Sequence, residues 1–456
     1  MAGPQPTLLE LSSKISEIAR SMSSYMETKN WPAPSFAASS VESYPQAPEL
    51  HSARMMLIET LMDMLHLAIS PSEFLFWHAL TTKHDVMVLD VLNQFDFFSA
   101  VPIDGSASYT GIAAYTKLPE SVVRRILRQA FTLHLFAETF PGSGYVVHTA
   151  ATAYTVRQPL VRSWIALNTE EVGKGCVTMP EALKAYSFGK EQITQKPGEC
   201  GVARAFYNRD GRPDLADKTY YHWAEEDGED GQRGWRERRF GEAMQALGKQ
   251  NTVTPEQILG GVDWGALGDA TVVDVGGSVG HLSHILANSY PNLKCIVQDV
   301  PGLEPQFNAA LPAELSSRIT FKAHDFFSPQ LVVADVYFFK NVFLNWQDDY
   351  AIRILRALLP SLKPGARIVV YDPIMPPVAN EEGKRAVPLP VERLMTSMDL
   401  QMLVVCNGID RTIEDWVKLF KKADERFCLK GVSMPKGSPF GLLEVTFEHR
   451  TPSLED

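Results

Sequence analysis

The sequence predicts a doubly wound, mostly parallel α/β sheet behind an all-helical front that contains a winged-helix pattern. Three observations carry that expectation. From about residue 269 short apolar runs alternate with helical runs, the signature of a parallel sheet with crossover helices. A glycine-bearing turn, Val273-Asp274-Val275-Gly276-Gly277-Ser278-Val279-Gly280, leaves the first of those runs and enters a helix. Ahead of residue 250 the apolar positions recur mostly at helical spacing, with one hairpin-like stretch.

In chain order, Leu8, Leu9, Leu11, Ile15 and Ile18 mark a first helix, stopped by Trp31-Pro32-Ala33-Pro34-Ser35. A second runs from about Ala53 to Ile69. Its Met55, Met56, Leu57, Leu61, Met64 and Leu65 are too many for one apolar stripe, so it is buried on more than one face, within the chain or against a second subunit. DVMVLDVLNQFDFFSAVP is helical, Tyr109-Thr110-Gly111 and Pro119-Glu120-Ser121 open two further helices, and PGSGYVVHT reads as a short hairpin. Three helices and a hairpin make the winged-helix pattern. Residues 150 to 250 are mostly helical. Within them the acidic run 225–231 reads as a solvated loop, because the alternating ligands and sharp turn of an EF-hand are absent; no metal is expected. Then ATVVDV, KCIVQDV, RITFKAH, VVADVYFFK and ARIVVYD are strands, and SVGHLSHILANSY and DYAIRILRALLPSL are helices. The expected divisions are a helical segment 1–84, a winged-helix-like domain 85–160, a helical connection 161–250 that contributes to a substrate pocket, and the sheet domain 251–456.

A chain of 456 residues exceeds one ordinary core, and 45% hydrophobic with 21% charged residues is a globular composition. The net charge of −11 argues against nucleic acid as a partner. Only Lys117, Arg124, Arg125 and Arg128 supply positive charge to the winged-helix pattern, so a structural or dimerising role is expected there. No apolar run is long enough to span a bilayer, and MAGPQPTLLELSSKISEIAR lacks the basic start and continuous apolar stretch of a signal peptide. The five cysteines form no CxxC pair and no even framework, so reduced thiols and a cytoplasmic setting are expected.

The glycine turn carries the strongest chemical signal. Glycines at 276, 277 and 280 let backbone approach a ligand and let the helix pack on the sheet. The dinucleotide pattern GxGxxG is not met, because residue 275 is Val. A carboxylate at Asp274 suits a ligand with an amino group or positive charge better than a pyrophosphate. Asp299 ends the second strand, where an acid is placed to hold the two hydroxyls of a ribose.

With VVDVGGSVGHLS, IVQDVPGL, AHDFF, YFFKNVFLNWQDD, LKPGARIVVYDPIMP and NGIDRTIEDW, the chain resembles, over nearly its whole length, the S-adenosylmethionine (SAM)-dependent O-methyltransferases of plant and fungal secondary metabolism. The resemblance implies a Rossmann-like SAM-binding sheet and an intertwined homodimer through the front domain. It also implies that Asp274, Gly276, Gly277 and Gly280 form the methionine and ribose pocket and that Asp299 holds the ribose hydroxyls. Asp325 and Phe326 would flank the adenine, with Lys340 at the cofactor's edge.

The same resemblance marks one departure. The family's segment F-[KR]-x-x-x-H-[DN]-W carries the histidine that takes the proton from the acceptor hydroxyl. Here it is Phe339-Lys340-Asn341-Val342-Phe343-Leu344-Asn345-Trp346, and Leu344 stands at the histidine's position. The two acids that orient that histidine match Asp372 and Asp410. Three readings follow. The first is a pericyclase that steers dehydration and cyclisation of a polyketide or pyridone intermediate with SAM bound, with Lys340 polarising a substrate carbonyl. The second is a true O-methyltransferase for an acidic phenol or enol of a natural product. The third is a silent dimer partner or ligand-binding regulator. Position between motifs assigns Phe206, His222, Trp223 and Met398 to the acceptor pocket, although each taken singly reads more readily as core than as contact, with His222 the best acid or base among them.

Overall fold

The computed structural model describes residues 6–45, 47–226, 228, 232–248, 258–379, 384–434 and 439–448. The chain divides into two compact units. One comprises Met1–Lys174, Ala224–Lys249 and Glu381–Leu394; the other comprises Gly175–Trp223, Gln250–Asn380 and Met395–Asp456. The expected connection 161–250 is therefore divided, with 175–223 in the second unit and its two flanks in the first. Of the acidic run 225–231, residues 227 and 229–231 lie outside the described residues, while Glu225 and Glu226 close the helix Tyr220–Glu226.

The first unit opens with α1 (Leu8–Thr28), α2 (Pro48–Ala68) and α3 (Pro71–Gln94). Capping boxes start α1 and α3: the Thr7 and Ser70 hydroxyls take the Glu10 and Glu73 N–H groups, and those glutamates reach back to the cap N–H. Each cap contributes on the order of 1 kcal/mol. α2 fully buries only Leu50 and Thr60 in the chain, and Met56, Ile58, Leu61, Leu65 and Leu67 along it are exposed. Next come β1 (Ala107–Ser108), α4 (Tyr109–Thr116), α5 (Glu120–Thr132), β2 (Ala137–Glu138) and β3 (Tyr145–Val147). The three short strands form a sheet in the order β1-β3-β2. Val88, Leu92, Phe98, Ile112, Leu127 and Val146 are buried together beneath it.

The second unit is built on a seven-stranded sheet of order β6-β5-β4-β7-β8-β10-β9. Its strands are β4 (Thr271–Val275), β5 (Lys294–Asp299), β6 (Ile319–Ala323), β7 (Ala334–Lys340), β8 (Leu362–Pro373), β9 (Phe427–Ser433) and β10 (Phe440–Phe447). The first five are parallel, and β10 runs antiparallel to both β8 and β9. Alternate residues serve opposite faces, as the pleat requires. Val273, Val275, Tyr337, Phe339, Ile368 and Val370 pack under α7 (Asp348–Leu358) and α9 (Ile413–Ala423). Val272, Val336, Phe338 and Val369 pack with Leu282 and Leu286 of α6 (His281–Ser289). Burial on both faces explains why these strands read as continuous apolar runs. α8 (Leu389–Cys406) precedes the loop to α9. All five cysteines are free. No helix among the described residues is long and apolar enough to cross a membrane.

Candidate active site

Because β4, β5, β7 and β8 are parallel, their carboxyl ends share one edge of the sheet, the edge at which doubly wound folds bind ligands. The pairing sets Val275 beside Phe339 and Lys340 beside Tyr371, so Asp274, Lys340 and Asp372 come to that edge from three adjacent strands.

The glycine turn is shaped by its conformation and by close approach. Gly276 and Gly280 have φ of +70° and +82°, and a Cβ on Gly277 would lie 2.6 Å from the Asp274 carboxyl carbon. The Gly276 and Gly277 N–H groups donate to the Gln298 carbonyl (2.8 and 3.2 Å), which stitches the turn to the end of β5. Asp274 is buried and accepts from the Ser283 hydroxyl at 2.9 Å. Burial pushes its carboxyl up to about 6, against the pull of Ser283 and Lys340. Asp299 accepts from Ser278 N–H on Oδ2 and from Val300 N–H on Oδ1, each at 2.8 Å. A carboxylate has about four acceptor sites, so the aimed group keeps capacity for a diol.

Asp325 is exposed and holds its own turn, accepting from Phe327 N–H (3.0 Å) and the Ser328 hydroxyl (3.3 Å). Phe326 packs edge-on to Phe327 and Trp346. Lys340 is partly buried between acids. Burial lowers its ammonium, and Asp274 and Asp372 oppose that shift.

After β7 the chain turns at Asn341, whose φ is +57° and whose N–H donates to the Tyr371 carbonyl at 3.0 Å. The turn carrying Leu344 is clamped from both sides. Leu344 N–H donates to Asp372 Oδ2 (3.1 Å), and its carbonyl accepts from Ile409 N–H (3.0 Å). Gly408 packs against it so closely that a Cβ would lie 2.1 Å from the Leu344 oxygen. Arg411, 1% exposed, donates to the Phe343 and Trp346 carbonyls (3.1 and 2.8 Å) and to Asp348 Oδ1 (2.9 Å). Leu344, Asp372 and the 408–411 loop are thus brought together.

Asp372 and Asp410 are both buried, and each has an Oδ1 with no hydrogen-bond partner among the described residues. Burial, then the negative charge of Asp410, pushes Asp372 up to about 8, with Arg411 opposing. Burial, then Asp399, pushes Asp410 up to about 7, again against Arg411. Asp399 also accepts the Asp410 N–H at 2.8 Å.

His222 is exposed, and its Nδ1 pairs with Thr219 (3.1 Å to the hydroxyl); no hydrogen bond among the described residues joins it to Leu344, Asp372 or Asp410. Its neighbour Tyr221 makes the link instead, donating to Asn345 Oδ1 at 3.1 Å. Burial of that phenol, with Cys406 and Asp299 nearby, holds it well above its ordinary range, although 42% of the residue is exposed. Trp223 is buried with its ring 4.8 Å from that of Phe206, and Met398 packs against the cluster containing Tyr371 and Phe440. Tyr221, Asp399 and Arg411 are site residues that sequence reasoning missed. Only Arg411 carried a local signal, as a cation directly after Asp410.

Residues 232–425 match the family model of the O-methyltransferase domain. The O-methyltransferase lcsG of Purpureocillium lilacinum is 33% identical over 425 residues, 92% of this chain and 90% of that protein. The chain belongs to the O-methyltransferase family. The O-methyltransferase AMT9 of Alternaria alternata is 37% identical over 76% of this chain and 74% of its own length. Among solved structures, OxaC superposes with a TM-score of 0.74 at 18% identity, covering 97% of this chain and 99% of OxaC. LepI in complex with SAM gives 0.69 at 18% identity, covering 96% of this chain and all (100%) of LepI. These two likenesses show the shared fold. The family's cofactor is SAM, and the residues present fit it: a glycine cradle that a Cβ would fill, a buried acid at Asp274 for an ammonium group and an oriented acid at Asp299 for a diol.

Proposed function

We propose that this protein binds SAM at the Asp274–Gly280 turn and Asp299, and catalyses dehydration and cyclisation of a polyketide or pyridone intermediate of fungal secondary metabolism. The observation that carries the reading is Leu344. The turn around it keeps every clamp described above, yet its side chain cannot accept a proton. A pericyclic step needs shape, a dry pocket and a group that polarises a carbonyl, and no base in the ring-forming step. Lys340, a poorly solvated cation at the sheet edge, is the candidate for that polarising role. When bound, SAM supplies a sulfonium, a methyl electrophile in a methyltransferase and a fixed positive charge in this reading. Asp325 and Phe326 belong to the adenine side, and the acceptor is a small natural product.

The names of the relatives favour a second reading, methyl transfer to an acidic phenol or enol that ionises without an imidazole. Incubation with methyl-labelled SAM and a panel of phenols and enols separates the two. The first reading expects no label in product from the wild type. Ordinary turnover on any hydroxyl substrate would overturn it and promote the second. Deletion in the producing organism with metabolite profiling tests against a silent protein, which would leave the profile unchanged. The front domain is proposed to form a homodimer, supported by the uncovered apolar side chains of α2.

A further inference from the structure

We propose that Asp372 and Asp410 share one proton and act together as the proton-transfer pair of the pocket. They give a proton to a leaving hydroxyl and take one from the enol of the same substrate. This rests on the reading of the pocket as a dehydration site.

The geometry is specific. The two carboxyls belong to the segments that clamp the Leu344 turn, one from β8 and one from the loop before α9. They are 1% and 7% exposed, and the Oδ1 of each lacks a hydrogen-bond partner among the described residues. The surrounding charges disfavour ionisation of both acids. Arg411 gives its hydrogen bonds to two carbonyls and Asp348, so its charge, which also acts on Asp372 and Asp415, offsets only part of the cost of ionising the pair. Asp399 adds a further negative charge against Asp410, and Lys340 is divided between Asp274 and Asp372. Two buried acids on segments that clamp one turn favour a state in which one of them holds a proton. The upward displacement of both groups to about 8 and about 7 agrees with that state.

A half-protonated pair can both give and take, which dehydration requires. The substrate class is an enol with a hydroxyl on the carbon attached to the enol double bond. The C–O bond to that hydroxyl breaks with its electron pair going to oxygen, and the pair's proton completes water. The enol O–H bond breaks, its proton goes to the emptied carboxylate, and its electron pair forms the new carbonyl. The former double bond shifts to the carbon that lost oxygen. The pair ends each cycle with the proton it started with.

Infrared difference spectra of the purified protein against D372N and D410N test the shared proton without any substrate. At pH 7 the wild type is expected to show the carbonyl stretch of a protonated carboxyl. Either amide variant should remove it and D372E should keep it. Asparagine still accepts the Leu344 N–H, so the turn is preserved, and unchanged SAM affinity checks the fold. With a hydroxyalkyl enol as substrate, D372N and D410N should each lower dehydration by about 10²–10⁴-fold, with partial recovery in D372E. A wild-type spectrum without that band overturns the pair. So does wild-type dehydration by both amide variants. A band present in a protein that dehydrates no such enol refutes the proposed function and leaves the shared proton standing.

Discussion

Leu344 is one side chain in a turn whose backbone is already committed on both sides, so replacing it perturbs chemistry more than architecture. Leu344→His introduces a polar ring, which is costly when buried without partners. Here the free oxygens of Asp372 and Asp410 can receive it. The variant is expected to fold with a loss below about 1 kcal/mol, read by thermal melting, and to methylate simple phenols no better than the wild type. Efficient methylation by the variant would mean that the base alone was lost and that the acceptor pocket is unchanged. A second expectation belongs to Asp274. Its carboxyl is protonated below about pH 6 in the free protein, and only the ionised form attracts an ammonium group. SAM affinity, followed by calorimetry from pH 8 down to pH 5, should therefore weaken as pH falls through about 6, approaching tenfold per unit below it. Asp299→Ala should weaken binding by roughly 1.5–3 kcal/mol for each charge-assisted hydrogen bond lost, and move the midpoint of the pH profile downward, because the Asp299 charge helps to raise Asp274. A flat wild-type profile would remove Asp274 from the cofactor pocket.

The elements around the turn set how tightly it is held, and Gly408 is the sharpest test. A Cβ there meets the Leu344 oxygen at 2.1 Å and the Asn345 Cα at 3.1 Å, both backbone atoms that cannot swing aside. Gly408→Ala should cost about 1–3 kcal/mol and disturb the Ile409-to-Leu344 hydrogen bond, lowering activity along with the melting temperature. Gly302→Ala, where a Cβ meets nothing within 4 Å, should stay within about 0.5 kcal/mol. A Gly408→Ala protein as stable as the Gly302→Ala control would sink the clamp. The elements also show what a sequence makes legible. β4, β7 and β8 could be read because burial on both faces writes a continuous apolar run. The glycine turn could be read because its residues are contiguous. β9 and β10 were not read: Phe427–Ser433 mixes glycine and lysine into a half-buried strand with no local mark of its partner. Tyr221 was passed over for His222 because nothing in a tyrosine pair shows which ring reaches Asn345, 124 residues further on. Asp399 joins the site through a bond to the Asp410 backbone, which leaves no trace in spacing.

At the scale of the whole molecule, the uncovered apolar surface of the front helices is the quantity that asks for an explanation. Along α2 and the first half of α3, Leu61, Leu65, Leu67, Leu75, Phe76 and Trp77 are all exposed, Phe76 at 79%. Six large apolar side chains exposed along two successive helices are more than isolated surface leucines, and point to an interaction surface. Burying one such side chain contributes about 1.5–3 kcal/mol against an association cost of an estimated 4–15 kcal/mol, so burying these six on both copies favours a stable pair. The net charge of −11 per chain opposes close approach of two copies, but it is spread over 456 residues and is screened beyond roughly 8 Å at physiological salt. Light scattering at low micromolar protein should therefore report about twice 50.7 kDa. Leu61→Glu combined with Trp77→Glu places charges on that face and should shift the mass toward one chain, since each charge would have to be desolvated in the interface. Because both positions are exposed in the single chain, the substituted monomer should keep its helical signal. A wild type that scatters as one chain, or a doubly substituted protein that still scatters as two, would move the dimer contact away from α2 and α3 and leave their apolar face to another partner.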